Sequence, residues 1–152
     1  FYKGLQNSSI YTPEIKSEIK IPNFHTKEFF SKDKINSDEI FKGSEYYLLN
    51  IWASWCIPCK EEHGYLMDLT KKENIKIIGQ NYKDNFDNAK NFLIKLDNPY
   101  DLIFLDYDGT IAIEWGAYGV PETFLIKNNQ IIKKIIGPLN EKLLFEIKEL
   151  IQ

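Results

Sequence analysis

The chain has 152 residues, 43% of them hydrophobic and 14% aromatic, which is material for one packed core of ordinary domain size and argues against wholesale disorder. Its 19 basic residues, all lysines, nearly cancel 22 acidic ones for a net charge of -3, so the basic surplus of a nucleic-acid binder is missing. No apolar run reaches the roughly 18 residues of a membrane span.

Residues 1–20 read as an extended leader with Pro13 in it, and residues 21–152 as the folded domain. The chain starts at Phe1 rather than Met, and Phe1 to Leu5 is apolar, so a signal peptide or membrane anchor is expected to have preceded it. Between Ile21 and Phe41 the signals are mixed. Phe24, Phe29 and Phe30 suggest short strands, and Ser37 to Phe41 opens a short helix capped by Ser37 or Asn36.

From Glu45 to Ala53 the chain is almost continuously apolar, as in a strand buried on both faces. A helix is predicted over Cys56 to Lys71, with Tyr65, Leu66 and Leu69 on one side, then a second buried strand over Asn74 to Tyr82. Asn85 to Leu96 places Phe86, Ala89, Leu93 and Leu96 at helical spacing. Leu102 to Leu105 reads as a short strand closed by an Asp106-Tyr107-Asp108-Gly109 turn. Thr123 to Ile126 and Ile131 to Ile136 read as a hairpin joined at Asn128-Asn129, and Asn140 caps a last helix carrying Leu143, Leu144, Ile147, Leu150 and Ile151. Strands alternating with helices imply parallel pairs made by right-handed crossovers, and the hairpin adds antiparallel strands. The expected fold class is α/β, a mixed central sheet with helices on both faces.

The only two cysteines are Cys56 and Cys59, where the first buried strand gives way to a helix. Side chains three apart on a helix share a face, close enough for a disulfide to open and close with little backbone movement. Cys56 sits at the helix N-terminus, where free amides stabilise a thiolate, and is expected to be the more exposed nucleophile. Cys59, one turn in, is the resolving thiol, and Pro58 suits the first helical turn because its missing N–H costs nothing there. A bare Cys-x-x-Cys is also half of a zinc site, with His63 as a third ligand, or a pair of inert core thiols. A Cu(I)-binding module is a further alternative, although Met67 stands alone as the only methionine. His63 reads as a packing or surface residue of the helix.

Trp55-Cys56-Ile57-Pro58-Cys59 on a strand-to-helix turn resembles the active site of the thioredoxin superfamily, and Gly119-Val120-Pro121-Glu122-Thr123-Phe124 resembles its cis-proline segment. Leu49 to Cys56, Lys60-Glu61-Glu62-His63, Asn81-Tyr82-Lys83-Asp84, Asn98-Pro99-Tyr100 and Tyr118 to Ile126 together resemble the DsbE, or CcmG, family of thiol:disulfide interchange proteins of bacterial cytochrome c maturation. Even Gly4-Leu5-Gln6 is similar to the stretch that follows that family's membrane anchor, so the resemblance covers almost the whole chain. Departures are Val120, where a small residue is common, and the Ile57-Pro58 dipeptide.

The resemblance implies a thioredoxin-like three-layer sandwich with an N-terminal extension, acting as a periplasmic reductase tethered to the inner membrane by a segment preceding Phe1. It implies that apocytochrome c, or a partner thiol protein, is kept reduced, with electrons from a membrane thiol transporter of the DsbD or CcdA type. A general periplasmic thiol reductase of the ResA or TlpA type is the alternative. No metal or other cofactor is expected beyond the redox-active Cys56–Cys59 pair. Many thioredoxins bury an aspartate where this chain has Asn50, which cannot titrate, so Glu62 is the expected proton acceptor for Cys59; the alternative is a solvated helix glutamate. Trp55, Pro58, Tyr118, Val120, Pro121 and Glu122 are the residues expected to meet substrate. Glu122 is further expected to join Glu62 in a carboxylate patch that raises the Cys56 pKa, with Lys60 opposing it.

Overall fold

A computed structural model describes residues 19–152. In chain order its elements are β1 (Ile19–Lys20), β2 (His25–Lys27), β3 (Lys34–Asn36), α1 (Ser37–Ile40), β4 (Tyr46–Trp52), α2 (Ile57–Leu69), β5 (Ile75–Tyr82), α3 (Phe86–Leu96), β6 (Leu102–Asp106), α4 (Thr110–Glu114), β7 (Glu122–Lys127), β8 (Gln130–Ile136) and α5 (Glu141–Leu150). Six strands form a sheet in the order β1-β8-β7-β4-β5-β6, and β2 with β3 makes a separate hairpin. β4, β5 and β6 are parallel, whereas β7 is antiparallel to β4, β8 to β7 and β1 to β8.

Side chains alternate along a strand, so the sheet sorts its apolar residues onto two faces. Leu48 and Trp52 of β4, Ile75 and Ile77 of β5, and Ile103 and Leu105 of β6 pack under α2, α3 and α5. Tyr47, Leu49, Ile51, Ile78, Phe104 and Phe124 form the opposite face, covered by Phe24, Phe41, Ile111 and Trp115. Helices therefore lie on both faces, unequally: the three long ones share one side, and α1 and α4 with three aromatic rings close the other. β4 lies inside the sheet with every residue after Tyr46 buried, which is why its sequence is apolar throughout rather than alternating.

Asparagine side-chain caps set three helix starts. Asn36, Asn85 and Asn140 each accept a bond from the amide three residues on, opening α1, α3 and α5. Ser37, the other candidate cap of α1, instead accepts from the Phe24 amide at 3.2 Å.

Residues 1–18 of the expected leader lie outside the described residues, and its last two, Ile19 and Lys20, form the edge strand β1. Nearby, the three phenylalanines flank the short strands rather than forming them. Phe29 is fully buried and donates its amide to Ile103 O at 2.8 Å, tying the hairpin to β6. The Asp106 to Gly109 turn also does more than turn. Asp106 is buried and accepts from the Ile111 and Ala112 amides at 3.1 and 3.0 Å, starting α4. Gly109 has φ +80°, a left-handed conformation that favours glycine, and a Cβ there would stand 2.6 Å from Lys83 Cε and 2.9 Å from Tyr82 Cε2, so those side chains would have to shift.

Candidate active site

The site grows from the C-terminal end of β4. After Trp52 the chain makes a tight turn closed by Cys56 N donating to Ala53 O at 3.2 Å. Both residues inside this turn are held by one loop after β5. The Ser54 amide and hydroxyl each donate to the Asp84 carboxylate at 2.7 Å, and Trp55 Nε1 donates to Lys83 O at 2.9 Å. Asp84 also accepts from Asn81 Nδ2 at 3.0 Å and from the Asn85 amide at 2.8 Å, so its two oxygens are fully engaged.

Cys56 is the N-cap of α2, and its Sγ accepts from Cys59 N at 3.2 Å. Cys56 and Cys59 are joined as a disulfide with Cα atoms 5.3 Å apart. In this oxidised state both are buried, at 4% and 2% relative exposure. The rim is exposed: Trp55, Ile57, Pro58 and Lys60 all face solvent. A sulfur at a helix N-terminus receives N–H groups and the positive end of the dipole, which stabilises a thiolate when the bond opens.

β7 brings the second segment alongside. It pairs with β4 so that Glu122 faces Ile51 and Thr123 faces Asn50, which sets the cis Val120–Pro121 bond at the sheet edge from which the cysteine turn leaves. Val120 is half-buried and packs on the cluster containing both cysteines, whereas Pro121 is buried. Tyr118 is 85% exposed, with Lys134 Nζ 5.0 Å from its ring centroid.

The two glutamates do not share a patch. Thr123 shares the sheet face of Asn50, and neighbouring residues alternate, so Glu122 projects to the opposite face from the one on which α2 packs. Glu122 is buried, its Oε2 accepting the Tyr118 and Gly119 amides at 2.5 and 3.0 Å and its Oε1 standing 3.8 Å from Lys134 Nζ. Its carboxylate braces the loop that carries Tyr118 and the cis-proline and does not join a surface patch with Glu62.

Glu62 is fully buried one turn after Cys59, which excludes the solvated-helix alternative. Its Oε1 accepts from Asn50 Nδ2 at 2.8 Å and its Oε2 from the Leu139 amide at 2.9 Å. Loss of water raises its pKa to about 7, against the two hydrogen bonds that hold it down. His63 beside it is a packing residue: Nε2 lies 2.8 Å from Asp97 O, and the ring stands edge-on to Phe92. Among the described residues, no group of three or more His, Cys, Asp or Glu is gathered to hold a metal ion.

A redoxin family model matches residues 16–149. The chain is 40% identical to the thiol:disulfide interchange protein DsbE of Vibrio cholerae, covering 85% of this chain and 76% of that one. The chain belongs to the redoxin family, among its DsbE-type thiol:disulfide interchange proteins. It is also 45% identical to the thiol:disulfide interchange protein CycY of Rhizobium leguminosarum, across 67% of this chain and 55% of the relative, and 37% identical to DsbE of Escherichia coli K12, across 80% and 66%. It therefore spans between about half and three quarters of these relatives. A crystal structure of a DsbF homologue from Corynebacterium diphtheriae superposes with TM-score 0.76 at 16% identity, covering 95% of this chain and 94% of that one, and confirms the thioredoxin-like fold.

In a thiol:disulfide interchange protein of this type, Cys56–Cys59 is the redox-active pair. Sequence reasoning assigned no role to Asp84 or Tyr100, although both lie in stretches that carried the resemblance. Their signal is tertiary: Asp84 reaches back to Ser54, and Tyr100 O–H donates to Asn50 Oδ1 across 50 residues of chain.

Proposed function

We propose that this oxidoreductase works as a periplasmic reductase in cytochrome c maturation, held to the inner membrane by chain preceding Phe1. Its substrate is the disulfide form of the haem-binding cysteines of apocytochrome c, met directly or through a partner thiol protein. The observation that carries this reading is a Cys-x-x-Cys disulfide at the mouth of α2 with a buried acid, Glu62, one turn behind its inner cysteine.

In the reduced protein the Cys56 thiolate attacks one sulfur of the substrate disulfide. That S–S bond breaks, a mixed disulfide with Cys56 forms, and the first substrate thiolate leaves and takes a proton from water. Glu62 takes the Cys59 proton, and the Cys59 thiolate attacks Cys56 Sγ. The mixed disulfide breaks, the second substrate thiolate departs, and Cys56–Cys59 is closed again. Two electrons have passed to the substrate. An acid with a pKa of about 7 suits both directions of this proton transfer at neutral pH. Trp55, Pro58, Tyr118 and Val120 frame the surface on which an extended segment docks, and Pro121 and Glu122 hold that surface in place.

The periplasm is kept oxidising, so the spent disulfide needs a dedicated dithiol donor, which we assign to a membrane transporter of the DsbD or CcdA type. The test is a strain carrying Cys56→Ala. Loss of c-type cytochromes with other periplasmic disulfides unaffected supports the reading; intact cytochromes with broad changes in periplasmic thiols identify a general reductase instead.

A further inference from the structure

Asn50, Glu62, Thr123 and Tyr100 form one buried hydrogen-bonded group, and its donors and acceptors can be counted. The Asn50 amide has two N–H groups and one carbonyl oxygen. Nδ2 donates to Glu62 Oε1 at 2.8 Å and to Thr123 Oγ1 at 3.1 Å, while Oδ1 accepts from Tyr100 O–H at 2.8 Å. A phenol donates a single proton, and this one is spent on Asn50. If the amide turned over, its carbonyl would meet the Glu62 carboxyl and its N–H groups would meet the phenol. The phenol oxygen could accept such an N–H but would then leave its own proton unpaired, and the ionised Glu62 carboxylate only accepts, so Tyr100 and Glu62 together fix which way the Asn50 amide points.

The Tyr100 ring is seated for this role. Asn50 pairs with Gly79 across β4 and β5, and the ring lies over that glycine, where a Cβ would stand 2.9 Å from Tyr100 Cγ and Cδ1. Trp52 stacks on the same ring at 5.5 Å between centroids, and the Asp101 amide pins the following residue to Ile77 O at 2.7 Å. We propose that Tyr100 is a positioning residue for Glu62, acting through Asn50, whose amide it locks with its N–H groups on the carboxylate.

This rests on the reading of Glu62 as the proton acceptor of Cys59. The titratable groups that face Glu62 are few. Cys59 stands one turn back on α2 and Tyr100 stands across the sheet face. β4 and β7 offer Asn50 and Thr123, and the segment before α5 offers the Leu139 amide, none of which ionises. α5 packs with Leu143, Leu144 and Ile147, His63 is engaged with Asp97 O, and Glu122 lies on the other face of the sheet. Burial keeps the Tyr100 phenol far above its ordinary range, so it stays a donor throughout the working pH range.

The test follows the Glu62 carboxyl directly by its 13C shift against pH in the oxidised protein, where neither cysteine titrates. In Tyr100→Phe the Glu62 midpoint moves up by roughly half to one unit, because the freed amide no longer keeps its donor on the carboxylate. In an Asn50→Ala background Tyr100→Phe adds no further shift. An unchanged midpoint in folded Tyr100→Phe overturns the proposal, and so does an equal shift with Asn50 absent. Should Tyr100→Phe fail to fold, the wild-type protein answers. The Asn50 side-chain N–H resonances are then expected to be protected from exchange and to move with the Glu62 titration; a freely exchanging amide contradicts the lock. Failure of the underlying reading looks different, since Glu62→Gln would then leave the pH profile of mixed-disulfide resolution unchanged.

Discussion

In the proposed mechanism Cys59 and Glu62 divide one chemical step between a nucleophile and its proton acceptor, and each makes its own prediction. In Cys59→Ser the outer sulfur still attacks but nothing resolves the product. Incubation with a disulfide-containing peptide gives a stable adduct through Cys56, read by mass spectrometry, whereas Cys56→Ser gives none. Turnover without accumulated adduct would mean that the second thiol is not needed. Glu62 contributes a pH dependence whose sign follows from its raised pKa. Between pH 4.5 and about 7 the folded chain keeps a proton that the unfolded chain has released. The Glu62 contribution to stability is therefore greatest below pH 4.5, falls as pH rises to about 7, and is level above. The difference between those pKa values corresponds to about 3 kcal/mol. Urea titrations at several pH values show this fall in wild type, and Glu62→Gln, which has no charge to bury, removes it whatever constant offset it adds.

At the scale of elements, the active-site turn is a loop clamped from outside, and the clamp is Asp84. Asp84→Ala leaves the Ser54 amide and hydroxyl without their acceptor and costs about 1–3 kcal/mol, checked by chemical denaturation. Reduction of a peptide disulfide slows with it, because Cys56 loses its fixed presentation. Gly79→Ala works from the other side of β4. A methyl pressed at 2.9 Å on the Tyr100 ring has no empty space to enter, so stability falls by about 1–3 kcal/mol and the Glu62 midpoint rises as the ring is displaced.

Elements are also where the sequence was most and least legible. β4 was expected over Glu45 to Ala53 and runs Tyr46–Trp52, because an unbroken apolar run has one outcome inside a sheet. The asparagine caps of α1 and α5 and the Asn128-Asn129 hairpin are local chemistry, and local chemistry reads directly: Asn128 and Asn129 adopt left-handed φ values of 51° and 60°. α4 went unseen since its five residues are too few for a periodic signal, and its start depends on Asp106 in the folded sheet. The aromatic positions from Phe24 to Phe30 pointed to strands because a buried ring between strands has the same composition as one within them. In the site, Cys56, Cys59 and Pro121 stand in short motifs. The bonds to Glu62, by contrast, come from Asn50 and Leu139, 12 and 77 residues away, and only the fold brings them together.

For the whole molecule, the sheet acts as a rigid frame with chemistry at one end. Parallel β4, β5 and β6 deliver the cysteine turn, the Asp84 loop and the Asp106 to Gly109 loop to the same edge, and antiparallel β7 adds the cis-proline there. Its two faces carry separate polar duties, with Glu62 beneath α2 and Glu122 behind the loop at Tyr118. A reductase built this way must hold its electrons at a potential low enough to open a substrate disulfide. The midpoint potential of the Cys56/Cys59 couple, equilibrated against glutathione or dithiothreitol buffers, tests this most directly. A value near that of thioredoxin, about -270 mV, is expected; one near that of DsbA, about -120 mV, would make the protein an oxidant and contradict its role as a reductase.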